Sequence, residues 1–476
     1  MRARIFAEEN RKWLTLGAVS FGLFMIMLDN TVVNVALPSI QRDLDTDLSE
    51  LQWIVTGYAL TFAALMLVGG KVADAYGRRL IFVIGIVVFT LASLLCGLAS
   101  SGEMLIAARV LQGAGAALMN PATLSIIAAT FPPRERGTAI GIWAGVSALA
   151  LAIGPLVGGL ITEHLDWSWI FFVNIPVGIL AIAASYLFID ESRDETHERL
   201  DLPGLATSSV GLFALTYGLI EANTYGWSSS RIVGSFVLAA VSLLAFVQLE
   251  RRQRAPMLPL ELFRSGTYTG ANLVVLLVAL AMFGVFFFVS LYMQNILGYS
   301  PVQTGAAFLP MTILIILVAP IAGRASDRIG SRGLMTAGMI LIAVQLVMFS
   351  RLSDDASFWD LFPAFIIGGI GMSLTMTPSA AAATRSVSVD KAGVGSAVLN
   401  SARQIGGTMG IALMGAIMAE EAGGEQTPEA FMRGFESALL VAAGIAVVGA
   451  IVAFTLVRPH EGAGNRTAAS AAEPAG

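Results

Sequence analysis

The chain has 476 residues, of which 56% are hydrophobic and 13% charged, with a net charge of -5 and a mean hydropathy of +0.76. A soluble domain carries roughly 25% charged residues, so a cytosolic enzyme is excluded. One cysteine, Cys96, rules out an internal disulfide framework, and 49 glycines without a three-residue period rule out a collagen helix. Three scattered histidines (His164, His197 and His460) argue against a metal site or a catalytic constellation. No cofactor is implied, and a small charge spread over many short loops points to no nucleic-acid partner.

A bilayer-spanning helix needs about 20 mostly apolar residues. Fourteen such segments begin near Trp13, Leu51, Leu80, Met104, Gly137, Trp169, Pro203, Ile232, Thr269, Val302, Gly333, Phe358, Gly393 and Gly434. None shows the alternation of a membrane strand, which excludes a barrel. Cationic residues test the count, because short cytoplasmic loops are enriched in them. With both termini inside, 22 of the 28 Lys and Arg residues fall in cytoplasmic segments, four (Arg42, Arg231, Arg351, Arg433) outside, and two (Arg109, Arg403) within spans. Removing the Ser/Thr-rich seventh segment would send every cationic loop from Arg251 onward to the wrong side. The apolar stretch from Trp13 is too long for a signal peptide and reads as an anchor, so the expected location is the cell membrane, crossed many times.

The chain also repeats itself. Residues 70–79 read Gly-Lys-Val-Ala-Asp-Ala-Tyr-Gly-Arg-Arg, and residues 323–332 read Gly-Arg-Ala-Ser-Asp-Arg-Ile-Gly-Ser-Arg, with Gly, cation, Asp, Gly and Arg in register at an offset of 253. Asn120-Pro121 and Thr377-Pro378 recur at an offset of 257. The offset carries eight segments, so the expected organisation is an all-α integral membrane protein of two pseudo-symmetric six-helix bundles plus two inserted helices. Its parts are a cytoplasmic N-terminus (1–12), an N-terminal bundle (13–190), linkers flanking the inserted pair (191–264), a C-terminal bundle (265–458) and a disordered tail (459–476). Parallel halves of this kind are a transporter architecture with the substrate site between them.

Six stretches carry a resemblance over essentially the whole chain: residues 28–38 in segment 1, the 70–79 loop, residues 109–115 (Arg-Val-Leu-Gln-Gly-Ala-Gly) in segment 4, residues 154–159 (Gly-Pro-Leu-Val-Gly-Gly) in segment 5, residues 167–176 at segment 6, and residues 400–407 (Asn-Ser-Ala-Arg-Gln-Ile-Gly-Gly) in segment 13. In these the chain resembles the major facilitator superfamily, in its fourteen-helix drug:proton antiporter branch typified by the QacA and EmrB exporters.

Asp29 is the one acid deep in a span, where a carboxylate costs about 2.5 to 3.5 kcal/mol on insertion scales and marks a functional position. Arg109 enters segment 4 from the same side at similar depth, so the two charges can pair or compete through water. The resemblance assigns them proton coupling, with the alternative that they form a structural ion pair. It makes the repeated loops a cytoplasmic gate, through Gly70, Asp74, Gly77, Arg78 and Arg79 and through Gly323, Asp327, Gly330 and Arg332. The Arg that usually follows the Asp is Ala75 in the first copy and Arg328 in the second. Gly154, Pro155, Gly158 and Gly159 correspond to the antiporter signature: four-residue spacing allows close helix approach and proline removes a backbone donor. Ala150 stands where that motif often opens with Gly.

From the segments that normally face the cavity, the expected lining is Asn34, Gln112, Asn120, Trp143, Phe283, Phe287, Tyr292, Gln294, Asn400, Arg403 and Gln404. A single deep acid favours neutral or monocationic amphipathic substrates over divalent cations. The expected function is a proton-coupled antiporter, acting as a monomer, that exports such molecules. A proton symporter for uptake and a non-transporting membrane sensor on the same fold remain as alternatives. No Gly-x-x-x-x-Gly-Lys-Ser/Thr motif is present, so an ion gradient supplies the energy.

Overall fold

The computed structural model describes residues 8–193, 201–253, 256–387, 392–423, 425 and 427–458; the expected tail and most of the expected N-terminal segment lie outside the described residues. The helices, in chain order, are α1 (Glu8–Leu44), α2 (Leu48–Tyr76), α3 (Arg78–Gly97), α4 (Gly102–Thr130), α5 (Pro133–His164), α6 (Trp169–Phe188), α7 (Leu202–Tyr225), α8 (Ser230–Arg252), α9 (Gly266–Ile296), α10 (Pro301–Ile329), α11 (Ser331–Phe349), α12 (Phe358–Arg385), α13 (Ala392–Ala422) and α14 (Pro428–Leu456). No strand occurs among the described residues.

Local signals set the helix ends. Asp47 and Glu50 form a capping box at the start of α2, Ser300 and Gln303 another at the start of α10, and the Ser101 hydroxyl caps α4 by accepting from Met104 N at 3.2 Å. Gly77 and Gly330, equivalent in the repeat, end α2 and α10 with φ of 121° and 85°. Only glycine takes that conformation without strain, so the repeated Gly is a backbone requirement.

Twelve of the helices are long and apolar enough to cross a membrane, and the bent α2, broken by 52° between Leu48–Met66 and Val68–Tyr76, is a thirteenth if read as one span. The expected segment 13 is not in that count. Asn400, Arg403 and Gln404 lower the hydropathy of α13, which packs against α2, α7, α9 and α14; a helix so covered need not be apolar on every face. Outer faces are apolar as well: Ile84, Val87, Leu91 and Leu95 form an exposed stripe along α3 at three- and four-residue spacing, which suits lipid.

Helices α1 to α6 pack among themselves, as do α9 to α14, while α7 and α8 pair with each other and α7 lies on α2 and α13. The two groups meet through α5 against α10, α2 against α13 and α1 against α9. While α2 and α13 meet over a longer stretch, from Gln52 by Gly415 to Met66 by Ser401, the α5–α10 contacts gather at one end of the molecule. There Glu163 at the end of α5 accepts hydrogen bonds from Ser300 Oγ (2.5 Å) and Val302 N (2.9 Å), and Gln294 donates to the Val35 carbonyl at 2.8 Å. Gly159 and Gly305 let the α5 and α10 backbones touch: a Cβ on Gly159 would lie 2.8 Å from the Pro301 carbonyl carbon, and one on Gly305 2.8 Å from that of Pro155. At the other end α5 is held to its own group, through Lys12–Glu135 and Trp143–Thr123, and carries a face with nothing packed on it. Gly141 and Gly145 have nothing within 4 Å of where a Cβ would be, and Thr138, Ile140, Ile142 and Leu149 are exposed around it.

Candidate functional site

Asp29 and Arg109, each 1% exposed, are joined in a direct ion pair between α1 and α4. The guanidinium also donates through Nε to the Ile54 carbonyl (3.0 Å) and through Nη1 to Gln112 Oε1 (2.6 Å). It lies over the Tyr58 ring at 4.2 Å. Gln112 closes the ring by donating to Asp29 Oδ1 at 2.9 Å and to Ser93 Oγ at 3.3 Å, and Asn174 on α6 donates to the same hydroxyl at 3.0 Å. Burying an ion pair is costly unless its remaining donors and acceptors are satisfied; here four helices supply the partners. The result is a closed polar network in the apolar interior of the N-terminal group.

One sequence expectation changes. Gln112, expected on the cavity wall, belongs to this network, because one helical turn brings it back beside Arg109 and under Asp29. Asp29 lies well inside α1, which continues through Pro38 to Leu44. Tyr58, Ser93 and Asn174 were not singled out by sequence reasoning. Ser93 and Asn174, buried polar residues within apolar segments, were the available signal.

The expected cavity residues divide. Asn34 and Trp143 are half-buried, with Trp143 Nε1 bonded to Thr123 Oγ1 at 2.9 Å, and Asn120 is buried with its Oδ1 unpartnered. Phe283 packs by Gly407, joining α9 to α13. Phe287 and Tyr292 are in the sealed core of the C-terminal group, not on an open wall: both are 0% exposed, and Tyr292 stacks on Phe435 and donates to the Ser353 carbonyl at 2.5 Å. Gln294 is taken by the contact with α1. Asn400 bonds its own helix at the Ser396 carbonyl (3.2 Å), Gln404 is buried with Nε2 unpartnered, and Arg403 is half-buried with no ion pair or hydrogen bond among the described residues.

The antiporter-like stretch of α5 faces two ways. Gly154 and Gly158 lie against α1 at Thr31 and Val32, and Gly159 against α10 at Pro301. In the first repeated loop Asp74 pairs with Arg78 at 2.7 Å, and the Arg79 and Leu80 amides are held by Glu191 beyond α6, each at 3.1 Å. Gly70 packs by Pro121. In the second, Asp327 pairs with Arg385 of α12 at 2.7 Å, Arg385 also bonds Ser331 Oγ at 2.7 Å, Arg332 lies 4.0 Å over the Phe454 ring, and Gly323 packs by Thr377. The contacts described tie each loop within its own helix group, except that Lys71 donates to the linker carbonyl of Pro256 at 3.3 Å. A separate apolar cavity of about 280 Å³ lies among α2, α7, α8, α9 and α13, lined in part by Leu212, Phe246, Asn272 and the linker residues Met257 and Leu258; it contains none of the expected lining residues.

An all-helical chain with this many helices long and apolar enough to cross a membrane, packed as two contacting groups, has the architecture of a membrane transporter. The family described as Major Facilitator Superfamily matches residues 19–411 and 271–475, and the chain belongs to it. Among its relatives, the puromycin resistance protein pur8 of Streptomyces alboniger is 39% identical over 98% of this chain and 95% of its own length. The tetracenomycin C resistance and export protein of Streptomyces glaucescens is 36% identical over 87% of this chain and 77% of its own. The methylenomycin A resistance protein of Streptomyces coelicolor is 37% identical over 84% of each chain. The crystal structure of a bacterial homolog to human lysosomal transporter Spinster, in an inward-facing and unoccupied conformation, shares the fold with a TM-score of 0.65 at 18% identity, covering 94% of this chain and 97% of that one.

Proposed function

We propose that this chain is a proton-coupled antiporter that exports hydrophobic or amphipathic small molecules from the cell, in the fourteen-helix branch of its family. In this reading all of α1 to α14 cross the membrane as six, two and six, and both termini are cytoplasmic. The cationic loops support that orientation, and the covered position of α13 accounts for its low hydropathy. Export of a small toxic molecule fits relatives named for antibiotic resistance or export. The end closed by Glu163, Gly159 and Gly305 is then external and the open end cytoplasmic, so the structure corresponds to the inward-facing state.

The observation that carries the coupling is the buried Asp29–Arg109 pair. A desolvated carboxylate keeps its charge only beside a counter-charge or becomes protonated. If substrate binding or bundle movement draws Arg109 away, Asp29 must take a proton; re-forming the pair expels it. Gln112, donating to Asp29 and accepting from Arg109, holds the pair in register while it exists. The repeated loops, tied within their own groups here, engage across the groups when the cytoplasmic end closes. The test is uptake of a dye panel into everted vesicles. Accumulation driven by an imposed proton gradient, collapsed by a protonophore and absent in Asp29→Asn, supports the reading; undiminished accumulation in that variant refutes it.

A further inference from the structure

Away from Asp29, two carboxyls meet at the base of the inserted pair. Asp201 caps α7, its Oδ1 accepting from Gly204 N at 2.7 Å and from the Gln253 side-chain amide. Glu250, in the last turn of α8, accepts from Leu258 N at 2.7 Å through Oε2. Each residue is 3% exposed. Their remaining oxygens, Asp201 Oδ2 and Glu250 Oε1, are sealed from solvent and lack a well-formed hydrogen bond, although the Met257 amide lies towards both carboxyls. Both crowd the same point: a Cβ on Gly204 would lie 2.7 Å from Glu250 Oε1 and nearer still to Asp201 Oδ2.

Among the described residues, no charged group of the surrounding elements forms an ion pair with either acid. Lys71 on α2 donates to the Pro256 carbonyl, Arg251 and Arg252 of α8 are exposed, Glu261 lies in the 3-10 turn of the linker, and Arg403 of α13 has no bond to either acid. Two carboxylates facing each other in such a site cannot both stay ionised; one proton between them turns repulsion into a hydrogen bond, here from Glu250 to Asp201.

We propose that Asp201 and Glu250 form a second proton-binding site, separate from the Asp29 centre, in which one shared proton clamps α7 to α8 and, through Leu258, fixes the linker leading to α9. The ligand is a single proton exchanged with water on the side of the molecule where α1 begins. Met257 and Leu258 also line the apolar cavity, so losing the proton frees one wall of it. The site does not depend on the direction of transport. Because the shared proton stabilises the folded pair, its contribution is complete at acid pH and is lost as pH rises through the titration of the pair.

The test uses the purified full chain in detergent. Glu250→Gln keeps a donor for Asp201 and an acceptor for Leu258 but cannot titrate. The wild-type Tm is expected to fall as pH rises from acid to mildly alkaline, with the Glu250→Gln curve flatter, so that their difference changes steadily with pH. Infrared difference spectra should show a protonated-carboxyl band in the wild type and in Asp29→Asn, lost in both Glu250→Gln and Asp201→Asn. Parallel Tm curves, or a band that survives in both carboxyl-pair variants, overturn the proposal. If one pair variant does not fold, the other gives the same two readouts.

Discussion

Gly159→Ala gives a direct energetic test of the closed end. The new methyl would sit 2.8 Å from the Pro301 carbonyl carbon and 2.9 Å from Val302 Cα, with backbone on the far side that cannot rotate away. Carbon contacts are optimal at about 3.5 to 4.0 Å, so α5 and α10 must separate by roughly 1 Å. Overpacking of this kind costs about 1 to 3 kcal/mol, a factor of roughly 5 to 150 in an equilibrium between two states. Under the proposed inward-facing reading, the cost falls on the state in which that end is closed and shifts the population toward the outward-facing one. Pulsed electron resonance between spin labels at Gly141 and Ile329, across the open end, should show a shorter distance gaining weight. Gly305→Ala should act the same way, its Cβ meeting the Pro155 carbonyl carbon at 2.8 Å, whereas Gly145→Ala, with nothing within 4 Å, should not. An unchanged distance distribution in both Gly159→Ala and Gly305→Ala, or an equal shift in Gly145→Ala, would refute the assignment of this contact as the closed gate.

Other consequences follow from the same geometry. Arg109→Ala strands the buried Asp29 carboxylate and should cost about 3 to 5 kcal/mol, as for other broken buried pairs, read as a loss of Tm. Arg109→Lys retains the charge but not the fork that reaches Asp29, Gln112 and Ile54 together; it should recover part of the Tm and little of the transport. Asp327→Asn removes an ion pair whose Asp side chain is 71% exposed, so Tm should move by no more than the effect of about 1 kcal/mol, while transport falls further if the loop must engage across the groups; equal losses in Tm and transport would contradict that role.

Most of the helices were legible because they begin at a local signal, a cap or a glycine, and run on for a bilayer's thickness of apolar residues. The α2 bend, beside Gly69-Gly70, and the covering of α13, marked by Asn400, Arg403 and Gln404, depend on tertiary packing that these local marks do not specify. The charged residues of the site were legible for the same reason that they are costly: Asp29 and Arg109 interrupt apolar segments. Their partners were less so. Gln112 reads equally well as cavity lining, and which side of α4 it takes is decided by the packing of α1. The Arg385 partner of Asp327 lies 58 residues away on another helix, beyond any spacing rule. Phe287 and Tyr292 show the limit for aromatics, since lipid, cavity and core positions share one composition and only packing among α9, α11, α12 and α14 separates them.

The central claim is that Asp29 exchanges a proton against substrate. It is tested most directly by measuring proton release when a transported dye is added to the purified protein in weakly buffered detergent solution. The account predicts release from the wild type and none from Asp29→Asn, with dye still bound. Equal release from both proteins would contradict it.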